Sequence, residues 1–167
     1  MIPVAVCGGK SIGDLLAHTA SCYLNWLGDF AMQMPADLLK VEGCRGMPEV
    51  RKLYDRVDGI MTAFLKQYEG NLDRPIKGVH DACGPTSATA VQLFTHVTTH
   101  EFHHKGQILV MCRQLGHVPP DTDVSLAFDY DFRRVVVRRR WWVYSPFMSL
   151  RCLGPLFTVK SRTMLSP

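Results

Sequence analysis

Residues 96–107 read HVTTHEFHHKGQ and hold four of the chain's seven histidines. Successive residues of an α-helix are rotated by about 100° around its axis, so the four imidazoles would fall within roughly 100° of one another. The same face would carry Gln107 and a set of apolar residues, which are Leu93, Val97, Ile108, Met111 and Leu115. The stretch therefore predicts a helix whose histidines point inward, toward a core.

The spacing of the histidines predicts a metal site on this helix. His100 and His104 are one helical turn apart, and this i, i+4 spacing lets two imidazoles of one helix bind the same ion. His96 and Gln107 would lie near the same face, where they could support the ligands or orient a substrate. The alternative for a single inward histidine, and for His96 above all, is an ordinary hydrogen-bonded core residue. The spacing assigns no role to His103.

Apolar residues recur at helical spacing in three segments of the chain. These segments predict helices over about residues 12–34, 48–68 and 86–115. Ser11 is a suitable N-cap for the first helix, and Gly116 is suited to the position just after the third. The connections are expected to be loops, with a short extended piece around residues 76–79. The predicted fold class is therefore all-α.

Length and composition indicate one domain without a transmembrane helix. The chain has 167 residues, 47% of them hydrophobic, which is enough for one compact core. No uninterrupted apolar run reaches the length of about 18 residues that a spanning helix needs. Six cysteines form no C-x-x-C pair and follow no secretory signal, so the expected location is the reducing cytoplasm. Cys22 and Cys112 are interpreted as core residues, and His80 and His117 as solvated loop residues.

The balance of acidic and basic residues changes sharply at residue 132. Residues 1–131 contain 11 Lys and Arg against 15 Asp and Glu, whereas residues 132–167 contain 8 Lys and Arg and no acid. We interpret the first part as the folded domain and the second as an irregular or disordered basic and aromatic tail, with the composition of an aberrant reading of the gene's end. The alternatives for the tail are a nucleic-acid contact, an interfacial membrane anchor and a packed element. The domain itself has no basic surface, so nucleic acid is not a predicted partner.

Several motifs together resemble the DinB family, also called DinB/YfiT-like, of metal-binding four-helix bundles. They are HEFHHKGQ at residues 100–107, RQLG at 113–116, PPDTD at 119–123 and an upstream LLAH at 15–18. The resemblance covers about residues 8–131 and implies an up-down helical bundle. It also implies that three histidines bind a divalent ion, and matching motif to motif gives His18, His100 and His104.

The resemblance further implies an activity. Three neutral imidazoles leave at least one coordination position open, as in catalytic rather than structural sites, and zinc or nickel is the expected ion. Family members that use low-molecular-weight thiols imply a metal-dependent thiol transferase or a hydrolase-type detoxification enzyme with a small-molecule substrate. The sequence assigns neither catalytic nor substrate-binding residues. The alternative is a catalytically silent metal-binding bundle that acts as a dimerising or binding module.

In the family a further helix precedes the one that carries the first histidine, and only about ten residues precede it here. We therefore expect the first family helix to be missing. A three-helix bundle would leave an apolar groove along its core. This groove predicts a homodimer.

A metalloprotease is the less favoured alternative. Residues 100–104, HEFHH, satisfy the H-E-x-x-H pattern, in which two histidines bind zinc and the Glu acts as general base. A protease of this kind needs a third ligand, usually downstream, where the candidates are His117 and four aspartates. The chain also lacks room for a substrate-binding sheet beside this helix.

Overall fold

The first predicted helix consists of two parts with different hydrogen-bond patterns. In the computed structural model, which describes residues 10–41, 46–119 and 122, helix α1 spans Ile12–Tyr23 and a π-helical segment spans Leu24–Ala31. Ser11 caps α1 as predicted, because its hydroxyl accepts from the amide of Asp14 and its amide donates to the Asp14 carboxylate. The predicted helix over about residues 12–34 is confirmed as far as Ala31, but it changes from α to π geometry after Tyr23. An apolar stripe over eight residues does not separate α from π periodicity.

The π segment ends in a turn that is held by Tyr68, a residue from later in the chain. Gln33 adopts a left-handed backbone conformation with φ of 51°, and the amide of Met34 donates to the carbonyl of Gly28. The buried hydroxyl of Tyr68 donates to the carbonyl of Ala31 over 2.8 Å. This bond satisfies a carbonyl at the end of the segment, where the helical ladder leaves carbonyls without partners.

Removing the Tyr68 hydroxyl should destabilise this junction. We expect Tyr68→Phe to lower the free energy of unfolding by about 1 kcal/mol, because a buried carbonyl loses its partner while the ring stays packed. Urea denaturation of the two proteins measures the difference. An unchanged midpoint would show that the hydroxyl does not stabilise the end of the π segment.

Helices α2 and α3 follow the first turn. Helix α2 is a single turn at Ala36–Leu39, and α3 spans Met47–Gln67, close to its predicted bounds. The guanidinium of Arg56 donates to the carbonyls of Leu38 and Lys40, which fastens the end of α2 to α3.

A β-hairpin joins α3 to α4, so the fold is mostly helical but not all-α. Strand β1 (Pro75–His80) pairs antiparallel with β2 (Gly84–Thr89), and α4 spans Ala90–Gln114. The expected extended piece around residues 76–79 lies in β1. Residues 86–89, predicted as helix, are strand, because Thr89 is the N-cap of α4 and forms a capping box with Gln92.

The core lies where α1 and the π segment pack against α3 and α4. Its largest fully buried side chains are Tyr23, Phe64, Leu24, Leu27, Met111, Val50, Val57, Val97 and Cys112. Cys22 and Cys112 are buried, as predicted. Within the described residues, no helix combines the length and hydrophobicity needed to cross a bilayer. The predicted boundary at residue 131 and the basic tail at 132–167 lie outside the described residues, as do residues 1–9.

Candidate metal centre

The structure brings together the three histidines that the sequence singled out. His18 comes from α1, whereas His100 and His104 come from successive turns of α4. Each offers one ring nitrogen, and the three nitrogens lie within 4.8 Å of one another. The ring centroids are 5.0 Å apart for His18 and His100, 4.8 Å for His18 and His104, and 4.6 Å for His100 and His104. This histidine triad could hold one metal ion.

The triad lies at the rim of the helix packing rather than inside the core. His18 is exposed, and His100 and His104 are half-buried. The prediction that the imidazoles point into the core is therefore wrong. The centre of the buried stripe of α4 is occupied instead by residues such as Val97 and Glu101, so the triad falls along one edge of this stripe, within reach of small molecules from solvent.

The surroundings of two triad histidines, His18 and His100, favour the neutral imidazole. Burial lowers the pKa of His100 to about 4, and the neighbouring His104 and His18 add to this effect. The pKa of His18 is also lowered, first by burial, then by His104 and Lys10. A neutral imidazole has the lone pair that a metal ion requires. The lowered pKa values therefore favour the metal-binding, neutral form of His18 and His100.

One nitrogen of the triad lacks a partner in the described part of the chain. Nδ1 of His100 is buried and forms no hydrogen bond within the described residues. A buried polar atom without a partner costs about 1–3 kcal/mol, and an ion bound at this nitrogen would compensate part of this cost. Three imidazoles are also a donor set that suits zinc or nickel. The residues present therefore fit a divalent ion of this kind.

A hydrogen-bond chain on α4 orients the third histidine of the triad. Nδ1 of His104 lies 2.7 Å from Oε1 of Gln107, and Nε2 of Gln107 lies 3.2 Å from Nε2 of His103. Because an amide oxygen only accepts, Nδ1 of His104 carries the proton and the lone pair remains on its Nε2. Hydrogen bonds of this type fix the tautomer and ring orientation of metal-binding histidines.

Gln107 should accordingly tune metal affinity without binding the ion. We expect Gln107→Leu to weaken metal binding by about 10- to 100-fold, because His104 loses the acceptor that holds its ring. Competition with a chelating indicator dye measures the affinity. Gln114→Leu, an exposed position near the end of the same helix, is the matched control. Equal affinities of the two variants would contradict the orienting role.

Glu101 is a buried residue that the sequence analysis did not predict. Its side chain is 4% exposed, and its carboxylate accepts a hydrogen bond from the hydroxyl of Tyr23 on α1. Burial raises the pKa of Glu101 to about 8, although the Tyr23 hydrogen bond and Lys105 act in the opposite direction. The sequence signal for this burial is the position of Glu101 four residues after Val97, on the apolar stripe of the helix. The H-E-x-x-H pattern instead suggests general-base chemistry for this residue and gives no indication that it is buried.

An aromatic cluster borders the triad on the side of the hairpin. The ring of His80 stacks on Trp26, with centroids 3.9 Å apart and planes inclined by 10°. The rings of His96 and Trp26 form a T-shaped pair with centroids 5.1 Å apart, and the His96 ring centroid lies 6.1 Å from that of His100. His80 is buried, so its prediction as a solvated loop residue is wrong. The pairing of β1 with β2 carries it onto the π segment.

Comparison with known proteins gives one family. A family model described as "DinB family" matches residues 6–133. The chain is also similar to "Protein DinB" of Bacillus subtilis (strain 168), with 28% identity over 123 residues that cover 70% of this chain and 71% of that protein. No solved structure matches. The matched region includes all three histidines of the triad.

Proposed function

The chain belongs to the DinB family, and on this premise we propose that it is a divalent-metal-dependent enzyme that acts on a low-molecular-weight thiol. His18, His100 and His104 are the proposed metal ligands, and zinc or nickel is the proposed ion. The observation that carries the proposal is the ligand set itself. Three histidines on two helices converge at a solvent-facing rim, and no fourth histidine, cysteine or carboxylate joins them among the described residues.

This arrangement supports catalysis more than a closed structural site. Structural zinc sites use four protein ligands, whereas catalytic sites leave a position for water or substrate. When bound, the ion would supply a Lewis acid that lowers the pKa of a coordinated thiol or water toward neutrality. Gln107 would keep His104 in the required tautomer, and burial would keep His100 unprotonated. In the proposed reaction the thiol loses its proton to solvent, and its sulfur forms a C–S bond with an electrophilic carbon as the leaving group of that carbon departs as an anion. Metal-assisted hydrolysis, in which water takes the place of the thiol, is the variant.

The metalloprotease hypothesis has less support. In such enzymes the Glu of H-E-x-x-H acts as general base on the metal-bound water. Glu101 instead accepts a hydrogen bond from Tyr23 in the core and has a pKa raised to about 8. The silent-bundle alternative would require a closed coordination sphere, and the described residues offer no further ligand. The homodimer remains a prediction, which light scattering tests.

A thiol-conjugation assay tests the proposed function. Parent protein loaded with zinc or nickel is mixed with a set of small thiols and an electrophilic haloarene, and loss of free thiol is followed. We expect metal-dependent thiol loss with the parent and background loss with His104→Ala. A metal-loaded parent that matches the variant for every thiol and electrophile would contradict thiol transfer, and parallel ester hydrolysis would then favour the hydrolase variant.

A further inference from the structure

We propose that His96 is a substrate-binding residue that donates a hydrogen bond to the small thiol occupying the open coordination position. This inference rests on the proposed function and adds to it a contact outside the metal ligands. His96 is one helical turn before His100, and the two rings are 6.1 Å apart. It does not belong to the three-residue ligand group. It is therefore a neighbour of the metal site rather than part of it.

The ring of His96 rests on a supported aromatic surface. The ring of Trp26 stacks on His80, with centroids 3.9 Å apart, and forms T-shaped pairs with Phe30 and His96, with centroids 5.7 Å and 5.1 Å away. Trp26 and Phe30 come from the π segment, and His80 comes from the hairpin. π-helical geometry is rare in proteins and is frequently found at functional sites. Two separate elements thus hold one exposed imidazole beside the triad.

Of the histidines next to the triad, His96 alone keeps both ring nitrogens available within the described part of the chain. His80 accepts a hydrogen bond from the amide of Ala82, and His103 interacts with Gln107. No described residue forms a hydrogen bond with the imidazole of His96, and its side chain is exposed. An unengaged, supported imidazole at the rim of a metal site is available to a bound ligand.

The positive charge of an ion in the triad favours an anionic ligand at the open coordination position. Three neutral imidazoles leave the charge of a divalent ion uncompensated, and no described carboxylate lies within the ligand group. The ion would therefore favour an anionic donor at its open position, and a thiolate is such a donor. Charge-assisted hydrogen bonds to an anion are about twice as strong as neutral ones, so an N–H of His96 would add both affinity and orientation.

Cobalt-loaded protein gives a readout that does not depend on turnover. The absorbance of the bound cobalt(II) is titrated with 2-mercaptoethanol for the parent, His96→Ala, His96→Gln and the control His117→Ala, and cobalt affinity is measured separately. We expect His96→Ala to raise the apparent dissociation constant for the thiol by about 10-fold, the effect of one lost hydrogen bond to a charged group. His96→Gln should recover much of the affinity, and all four proteins should bind cobalt equally.

Thiol affinity in His96→Ala equal to that of the parent would overturn this role and leave the proposed function standing. Loss of cobalt from His96→Ala would also overturn it. Because His96 would then be a fourth protein ligand, that result would count against the open coordination position as well. A parent that binds no cobalt would instead remove the proposed metal site, and the role of His96 with it.

Discussion

Replacing His104 by alanine is expected to weaken metal binding by at least about 100-fold, more than the loss of an orienting neighbour. His104 lies within 5 Å of both other rings of the triad, at 4.8 Å from His18 and 4.6 Å from His100. Its removal leaves two imidazoles, on different helices, which cannot hold the ion against competing chelators. His18→Ala and His100→Ala should have effects of the same order.

Thermal unfolding with and without added zinc measures this loss. An ion that binds only the folded chain stabilises it by RT ln(1 + [ion]/Kd), which is about 2.7 kcal/mol at 100 times Kd. The parent should therefore show a zinc-dependent rise in Tm, and His104→Ala should show little. His117→Ala, a histidine just beyond α4, is the control and should behave as the parent. A zinc-dependent rise preserved in all three triad variants would place the ion elsewhere.

The second large expected effect is a loss of folding stability as the pH rises, and its source is Glu101. Its pKa in the folded chain is raised to about 8 against an ordinary value of 4.5, so the folded protein keeps a proton that the unfolded chain has lost. The stability that comes from the raised pKa of Glu101 is fully present below pH 4.5, and it is lost as the pH rises toward 8. The lowered pKa values of His18 and His100 act in the opposite sense, but only below their ordinary value of 6.5.

Among these three groups, Glu101 is therefore the one whose titration changes the folding stability between pH 7 and 8. We expect the free energy of unfolding of the metal-free protein to fall by about 1 kcal/mol across this unit of pH, since one pKa unit corresponds to about 1.4 kcal/mol. Glu101→Gln keeps an oxygen that accepts from Tyr23 and removes the titration, so its stability should be flat over the same range. Urea denaturation at each pH tests this, with the exposed Glu69→Gln as control. Parallel profiles for parent and Glu101→Gln would contradict the assignment.

The helices and the triad could be predicted from the sequence for different reasons. Periodicity placed α3 within about one residue of its observed bounds because its buried positions are nearly all apolar. His100 and His104 followed from helical spacing, whereas His18 lies on another helix and was assigned only through the motifs that resemble the DinB family. Spacing along a chain cannot show which helices meet in space.

Tertiary contacts account for what the sequence did not reveal. The π segment begins at Leu24 without a glycine or proline to mark it, and its end is held by Tyr68 from a distant part of the chain. His80 has no local signal for burial, because Trp26 covers it only after the hairpin forms. The burial of Glu101 could not be predicted from its neighbours in the sequence. Carboxylates are rarely buried without a partner, and the partner here, Tyr23, lies 78 residues earlier in the chain.

Metal analysis by plasma mass spectrometry on the untagged parent protein tests the central claim most directly. The protein is incubated with zinc and nickel, freed of unbound ions and measured beside the triple variant in which all three histidines of the triad are alanine. A three-histidine site with an open position predicts about one equivalent of divalent ion per parent chain and none in the variant. A folded parent that retains no ion would contradict the assignment of His18, His100 and His104 as a metal centre.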